Sequence, residues 1–320
     1  MNRHIIDESG VWLDGLSGDD AEKVIRDFLD RLDTARDRGE RIARTRSDLY
    51  NATVAEGIEF FQLLFEDESP IRLGIDLRQR LRIAIDRAYI WDDHADLIER
   101  VQEFDVIVND KRVFAPSVAF AHACRSRRHA VGCMNFRSSG RCGTERVQVG
   151  EYEHELHFII DESTHTQLFR DAVEIENMDE SSFRMNAGSA FPRLLWADGV
   201  WAGLDSFRRP YREHRHMLVK HLGVLNDYCV EIFEELASTH PEEIGARLDA
   251  LGVEASDENG RTKRNKDAKK ARTRAFQGRD FVFWWHTKLL RHVDRIHFLW
   301  RAQDKDIIIG IFTDHCYIPD

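Results

Sequence analysis

Proton-transferring and cationic side chains alternate with bulky apolar ones in the segment FVFWWHTKLLRHVDRIHFLW, residues 281–300. Successive side chains of a β-strand point to opposite faces, so a strand there places His286 and Lys288 on one face. In the following strand, Arg295 and His297 likewise share a face. Antiparallel pairing of the two strands would bring all four side chains onto one face of a sheet, with the apolar residues behind it.

A cationic sheet face that carries imidazoles suits metal-free cleavage of a phosphodiester. A base removes the proton of a ribose 2′-hydroxyl, an acid protonates the leaving oxygen, and cations offset the charge of the transition state. Histidine fits both proton transfers because its ordinary pKa is near neutral pH. The candidate catalytic residues are His286 or His297 as base or acid, Lys288 and Arg295 as phosphate ligands, and His315 as a secondary candidate.

Two other interpretations of the same face stay open. The face would also bind a phosphate backbone without cleaving it, with Trp284, Trp285 and Trp300 as stacking surfaces for bases. Alternatively, its polar side chains are the paired residues of a half-buried structural sheet. Residue types and spacing do not separate these two interpretations from catalysis.

The charge of the chain is unevenly distributed. The whole sequence has a net charge of −11, yet residues 261–305 contain 14 lysines and arginines against four acidic residues. This asymmetry predicts a polyanionic partner for the basic segment, although the segment could also dock on the acidic remainder of its own chain. The predicted nucleic-acid-binding strip consists of Arg261, Lys263, Arg264, Lys266, Lys269, Lys270, Arg272 and Arg274.

Hydrophobic periodicity predicts the elements that must position these residues. Helical spacing of apolar residues is found in 19–42, 58–65, 76–93, 164–236 and 241–253. Alternation or short apolar runs predict strands in 104–123, 129–136 and 146–161, and three closing strands between residues 281 and 316, with room for a helical turn at 288–292. Residues 256–276 have almost no large apolar side chain, which indicates a solvated linker or a basic strip ordered by a ligand.

This order of elements predicts an α+β fold with a helical N-terminal part, a central antiparallel sheet, a helical middle and a C-terminal three-stranded antiparallel sheet. We expect two parts. Residues 1–240 form an acidic body that is helical in 1–100, β-rich in 104–161 and helical in 164–240, and residues 241–320 form a basic segment.

Several classes of protein and site are disfavoured. No apolar run approaches the length of a membrane span and the N-terminus lacks a signal-peptide pattern, so we expect a cytoplasmic protein without a membrane partner. The five cysteines include no CxxC pair, which indicates free thiols. A magnesium-dependent nuclease motif would need an acidic residue two places before Lys288, where His286 stands. The two ExxH spacings, at 162–165 and 213–216, are expected by chance, so no metal or other cofactor is predicted.

Residues 240–320 resemble RelE/ParE-type toxins of bacterial toxin–antitoxin systems. The resemblance rests on a helical pair, a basic stretch and three closing strands that carry HTK, RIHF and IIIGIFTDH. It implies an antiparallel sheet with a concave basic face, on which some members cut mRNA at the ribosome while relatives act on gyrase. It also implies that Lys288 and Arg295 match the family's basic strand residues, and that His286, His297 and His315 transfer protons. This chain is longer than such toxins and acidic. Either the remainder selects a substrate or restrains the activity, or the resemblance extends to the fold alone and implies no activity.

These observations lead to two main functional hypotheses. The favoured one is a toxin-like or phage-defence effector that binds nucleic acid and cleaves RNA as a metal-independent endoribonuclease. The alternative is a non-catalytic component of a defence or regulatory complex, which binds nucleic acid on the same face and a protein partner on its acidic body. A third hypothesis is an interaction protein whose acidic body mimics a polyanion.

Overall fold

The computed structural model describes residues 3–37, 43–66, 69–92, 105–236, 240–290 and 293–316. The chain forms two compact units, residues 1–176 and residues 177–320. Both units combine helices and sheets, which confirms the α+β prediction. The predicted division lies near residue 240 instead, because the helical periodicity of the middle of the chain continues across residue 176. Among the described residues, no helix has both the length and the apolarity that a membrane span requires.

The N-terminal unit is built on an eight-stranded sheet with helices packed against it. The strands of this sheet are β1 (His4–Ile6), β2 (Arg44–Thr45), β5 (Tyr89–Ile90), β6 (Val106–Val108), β7 (Lys111–Val113), β8 (Gly132–Met134), β9 (Gly143–Val149) and β10 (Tyr152–Ile159). A separate two-stranded sheet consists of β3 (Thr53–Ala55) and β4 (Ile58–Glu59). The helices are α1 (Gly18–Asp37), α2 (Phe60–Phe65), α3 (Ile75–Asp86), α4 (Pro116–Ser126) and α5 (Glu162–Ile175).

The large sheet is mixed, whereas an antiparallel central sheet was predicted. Its strand order is β5-β2-β1-β8-β10-β9-β6-β7. The first five strands in this order are parallel to their neighbours, and the remaining three continue the sheet by antiparallel pairing. The carboxyl ends of β1, β2 and β8 therefore meet at one edge of the sheet.

Two predictions for this unit are wrong in part. Residues 116–123, predicted as strand, belong to α4, which Pro116 opens at a position where a missing N–H costs nothing. Most of α4 is buried, so apolar residues cover several of its sides and hide its helical period. Within residues 1–100, predicted as helical, the structure also has the five strands β1 to β5, each too short to give a periodic signal. Some predicted positions lie outside the described residues: the ends of two predicted helices, at 38–42 and 93, and part of the predicted turn, at 291–292.

The C-terminal unit contains a five-stranded sheet, a two-stranded sheet and helices. The helices are α6 (Glu180–Ala190), α7 (Tyr211–Asp227), α8 (Cys229–Glu235), α9 (Pro241–Ala250), α10 (Gly260–Arg264) and α11 (Lys266–Ala271). The strands are β11 (Leu194–Trp196), β12 (Ala255–Ser256), β13 (Thr273–Phe276), β14 (Arg279–Val282), β15 (Trp285–Leu290), β16 (Val293–Arg301) and β17 (Asp306–Thr313).

The three closing strands are antiparallel neighbours, as predicted. The larger sheet has the order β11-β17-β16-β15-β12, so one further strand lies on each side of them. The predicted strand 281–289 is interrupted, because β14 ends at Val282 and pairs with β13 instead. The turn between β13 and β14 places Gln277 and Gly278 at positive φ, which reverses the chain tightly. Val282 therefore does not extend the face that carries His286.

The segment 256–276 is ordered by its own sequence. The side chain of Asn259 accepts the N–H of Thr262 and caps α10, and the side chain of Asn265 accepts the N–H groups of Asp267 and Ala268 and caps α11. Asparagine is among the preferred residues at this helix position because it satisfies donors that have no partner within the helix. This segment is therefore two short capped helices followed by β13, not a linker.

Candidate functional site

The two strands that carry the candidate catalytic residues pair in an antiparallel arrangement, as predicted. His286 of β15 lies directly opposite His297 of β16, and Lys288 lies opposite Arg295. The two imidazole rings have centroids 5.1 Å apart, which places them on the same face of the sheet. On the opposite face, the hydroxyl of Thr287 is 3.0 Å from Nδ1 of His221, which belongs to α7.

This face of the sheet is covered, whereas the resemblance implied an open concave surface. His286 is 5% exposed, His297 0% and Arg295 8%. Phe283, which follows β14, packs against Gly310 of β17, where the ring occupies the space that any larger side chain would need. Phe276 and Ile311 are buried in the same apolar cluster. The alternation in 281–289 predicts one continuous strand, and that pattern contains no sign that β13 and β14 cover the histidines.

Two residues that the sequence analysis did not place at the site complete this polar cluster. Oε1 of Glu258 accepts hydrogen bonds from Nε and the terminal nitrogen NH2 of Arg272, at 2.9 and 2.7 Å. The same oxygen is 3.8 Å from Nδ1 of His286. Nδ1 of His297 donates to the carbonyl oxygen of Phe283 at 3.1 Å, which leaves Nε2 with its lone pair. We call Glu258, Arg272, His286, Arg295 and His297 the buried cluster.

The buried cluster has more donors than acceptors. Its two guanidinium groups exceed its single carboxylate by one positive charge when both imidazoles are neutral. Among the described residues, no hydrogen-bond partner is found for three buried atoms of the cluster: Nδ1 of His286, Nε2 of His297 and Nε of Arg295. Unpaired polar atoms are costly in a low-dielectric interior, so the excess positive charge and the N–H of Arg295 favour an anion, whereas Nε2 of His297 requires a donor.

Burial keeps both imidazoles uncharged. It lowers the pKa of His286 to about 3, helped by the positive charges of Arg295 and Lys288. Burial also lowers the pKa of His297 well below its ordinary value, and the nearby His286 adds to this effect. A neutral imidazole can take a proton but cannot act as a general acid. A bound phosphate would raise both pKa values again, because a nearby negative charge favours the protonated form.

Three residues of the cluster have the atoms to hold a metal ion. Ligand atoms of Glu258, His286 and His297 lie within 4.8 Å of one another, which is the one such group found in the described residues. Two imidazoles and a carboxylate suit a first-row transition metal. The guanidinium groups of Arg272 and Arg295 oppose a dication, because like charges repel strongly in a dry interior.

The structure places the other candidate catalytic residues differently. Lys288 is ion-paired with Glu254, a partly exposed residue. Nδ1 of His315 lies 2.7 Å from the carbonyl oxygen of Cys316, and His315 lines a separate cavity of about 450 Å³ together with Arg274. His286, His297 and Arg295 are therefore brought together, while His315 belongs to another surface.

The predicted basic strip divides into outward and inward residues. Arg261, Arg264, Lys266, Lys269 and Lys270 are exposed. Three of the predicted residues are occupied elsewhere: Lys263 is ion-paired with Asp257, Arg274 binds the carbonyl oxygens of Ala271 and Thr273, and Arg272 is 0% exposed. The prediction that Arg272 lies on the strip's surface is wrong, because its guanidinium belongs to the buried cluster.

A second polar cavity, in the N-terminal unit, was not predicted. It has a volume of about 380 Å³ and lies where β1 and β2 end; its lining includes Glu8, Ser9, Trp12, Arg46, Asp48, Phe114 and Arg141. The sequence signal is the run HIIDESG, in which acidic residues follow a short apolar strand directly. Polar residues at the carboxyl ends of parallel strands are a common binding position.

Comparisons with protein-family models, with curated proteins and with solved structures find no match to this chain. The resemblance to RelE/ParE-type toxins therefore stays a prediction.

Proposed function

We propose that the chain binds nucleic acid, with RNA favoured, on an exposed basic surface of the C-terminal unit. This basic surface consists of Arg261, Arg264, Lys266, Lys269 and Lys270 on α10 and α11. The observation that carries the proposal is that two short capped helices hold these cations outward at fixed positions.

The arrangement of α11 is suited to a phosphate backbone. Lys266, Lys269 and Lys270 are spaced i, i+3 and i+4, which puts them on one side of the helix, and the intervening Ala268 is buried on the other side. Among the described residues, none forms an ion pair with Arg264, Lys266, Lys269 or Lys270. The alternative that the basic segment docks on its own acidic residues is therefore not supported for these four side chains, and their charge remains for a polyanion.

In the proposed role the chain is a nucleic-acid-binding component of a defence or regulatory complex. Its acidic remainder, which gives the whole chain a net charge of −11, is the proposed contact for a protein partner. A toxin-like effector would use the same surface to hold its RNA.

Binding of single-stranded RNA is expected to weaken roughly 100-fold when salt rises from 50 to 200 mM, because about five phosphate contacts release their counterions. The double variant Lys269→Ala/Lys270→Ala should lower the slope of log affinity against log salt by about 1.4. A titration of labelled RNA and DNA at several salt concentrations measures both quantities.

The matched control for this titration is Lys305→Ala, which removes an exposed lysine that is ion-paired with Glu234. Its slope should equal that of the unaltered protein. Salt-insensitive binding, or a double variant whose slope is unchanged, would contradict the proposal and favour the interaction-protein hypothesis.

RNA cleavage at the buried cluster is a second candidate function. It is favoured by the register that sets His286 against His297 beside Arg295, with one positive charge in excess. The lowered pKa values of both histidines mean that a general acid would form only once phosphate is bound. The covered face further requires β13 and β14 to move before RNA can reach the cluster.

Cleavage of RNA in the presence of EDTA should fall about 100-fold or more in His286→Ala and His297→Ala, because each variant removes a proton-transfer group. Binding of RNA should be retained in both. His216→Ala is the matched control, since His216 is an exposed histidine of the same unit. Cleavage that EDTA abolishes would instead point to a metal held by the buried cluster. Absence of cleavage in the unaltered protein would leave binding as the function.

A further inference from the structure

The unpredicted cavity of the N-terminal unit lies at a switch point of the parallel sheet. From β1 the chain passes to β2 and β5 on one side, whereas β8 and β10 lie on the other side of β1. The loops after β1 and β8 therefore leave the same edge next to each other. In open sheets with parallel strands, ligands bind outside the carboxyl ends of the strands at such a point.

The loop after β1 is fixed by a network of short hydrogen bonds. Oδ1 of Asp7 accepts the hydroxyl of Ser9 at 2.6 Å, and Oδ2 accepts a guanidinium N–H of Arg141 at 2.6 Å. Arg141 also donates to the hydroxyl of Ser9 at 2.7 Å. Gly10 lies so close to Asn135, which follows β8, that a larger side chain there would clash. The two loops are thus held rigidly against one another.

Glu8 is the unsatisfied group of this site. Its Oε1 accepts the backbone N–H of Ser117 at 2.9 Å. Its Oε2 is buried and has no hydrogen-bond partner in the part of the chain that the structure describes, although Glu8 lines the cavity. A buried polar atom without a partner is rare in folded proteins and requires an explanation. A ligand that donates a hydrogen bond to Oε2 supplies one.

The rest of the lining indicates the class of that ligand. Arg46 is paired with Asp48 at 2.9 Å, and Arg141 is paired with Asp7, so the other lining charges are already balanced. Trp12 is 39% exposed and Phe114 is 77% exposed, and both line the cavity. Exposed aromatic faces favour a planar ring, and the carboxylate of Glu8, which has no counter-ion in this lining, favours a hydrogen-bond donor over an anion. A volume of about 380 Å³ is within the range of small-molecule sites.

We infer that this cavity binds a nucleobase, whose N–H edge donates to Oε2 of Glu8 and whose ring stacks on Trp12 or Phe114. The base could belong to a free nucleoside or to a nucleic-acid strand, since both offer the same edge and the same ring. The site is in the N-terminal unit and uses no residue of the basic surface, so it does not rest on the function proposed above.

The test is calorimetric titration of the full-length protein at pH 8 with guanosine, which has two adjacent N–H groups on its edge. We expect saturable binding with one site per chain, weakened at least about 10-fold by Glu8→Gln. The N–H of Ser117 holds the amide oxygen of the new glutamine, so its NH2 group takes the place of Oε2 and faces the donor of the base. 1-Methylguanosine, which lacks one of the two N–H groups, should bind at least about 10-fold more weakly to the unaltered protein.

Glu56→Gln is the matched control, because Glu56 is an exposed glutamate of the same unit outside the cavity lining. A short RNA that contains one guanine distinguishes the two sources: tighter binding than guanosine that still depends on Glu8 indicates a base within a strand, and equal binding indicates a free nucleoside. The inference is overturned if guanosine, adenosine, cytidine and uridine all fail to bind, or if Glu8→Gln binds like the unaltered protein. Since glutamine matches the shape of a protonated glutamate, this variant is expected to fold.

Discussion

Replacing Arg272 with alanine is expected to lower the free energy of unfolding by about 3–5 kcal/mol, because it leaves the buried carboxylate of Glu258 without its hydrogen-bonded ion-pair partner. Arg272 is 0% exposed, and two of its nitrogens bind the same oxygen of Glu258. Its terminal nitrogen NH1 also donates to the carbonyl oxygen of Ala268 at 3.2 Å, which anchors the end of α11. Denaturant unfolding of the full chain, followed by circular dichroism, measures the change.

Lys270→Ala is the control, two residues away in the same basic strip but exposed. It should change the free energy of unfolding by less than about 0.5 kcal/mol, as is usual for surface positions. The effects on RNA binding should be reversed. Lys270→Ala should weaken RNA binding, whereas Arg272→Ala should not, under conditions in which both variants are folded. Equal stability of the two variants would contradict the division of the strip into an outward and an inward part.

The inward position of Arg272 could not be read from the sequence, because its neighbours in the strip are of the same chemical type. Its position around the helix axis is what turns Arg272 inward. Ala268 and Arg272 are four residues apart and both are buried, so the inner side of α11 and its last turn carries them. In the sequence, only Ala268 marks this inner side of α11, since a six-residue helix is too short to show a hydrophobic period.

The sequence was more informative about the closing strands. Alternation alone predicted that His286, Lys288, Arg295 and His297 share a face, and the observed register pairs them across β15 and β16. Alternation gave no information on what covers that face. Phe283 can pack on the sheet because residue 310 is glycine, and this contact joins residues that are distant in sequence.

The N-terminal cavity was missed for a related reason. The strand before Glu8 is three residues long, and its parallel partner β8 begins at Gly132, so pairing over this sequence distance leaves no local pattern. Acidic residues directly after a short apolar run were the available signal. Their meaning depends on a parallel sheet, whereas residues 1–100 were predicted as helical and the central sheet, predicted from 104–161, as antiparallel.

Stability of the N-terminal unit is expected to fall by about 3 kcal/mol between pH 4 and pH 8 through Glu8 alone. Burial, together with the negative charge of Asp7, raises the pKa of Glu8 from 4.5 to about 7. The folded state therefore holds this proton more tightly than the unfolded state. The contribution is fully present below pH 4.5 and is lost as pH rises through about 7, because folding must then keep a buried carboxylate charged.

Glu8→Gln isolates this effect, because other groups shift the stability in the opposite direction. His122 of the same unit, for example, has a pKa lowered by burial to about 4, so its contribution grows as pH rises. The difference in unfolding free energy between Glu8→Gln and the unaltered protein should therefore grow by about 3 kcal/mol from pH 4 to pH 8. If the two plots of unfolding free energy against pH are parallel, the pKa of Glu8 is the same in the folded and the unfolded state, which would contradict the prediction.

A carboxyl group that weakens the fold at neutral pH requires a reason to be there. Glutamine would keep the hydrogen bond to the N–H of Ser117 without the charge, so packing and that bond do not require an acid. The ionised acid differs from glutamine in supplying a charged hydrogen-bond acceptor at Oε2. A ligand N–H is the group that would donate to it. Residues that lower stability in this way are expected where binding or chemistry depends on them. The measured cost at pH 8 therefore also bears on the cavity: a large cost, partly recovered on adding guanosine, is the result expected of a binding site.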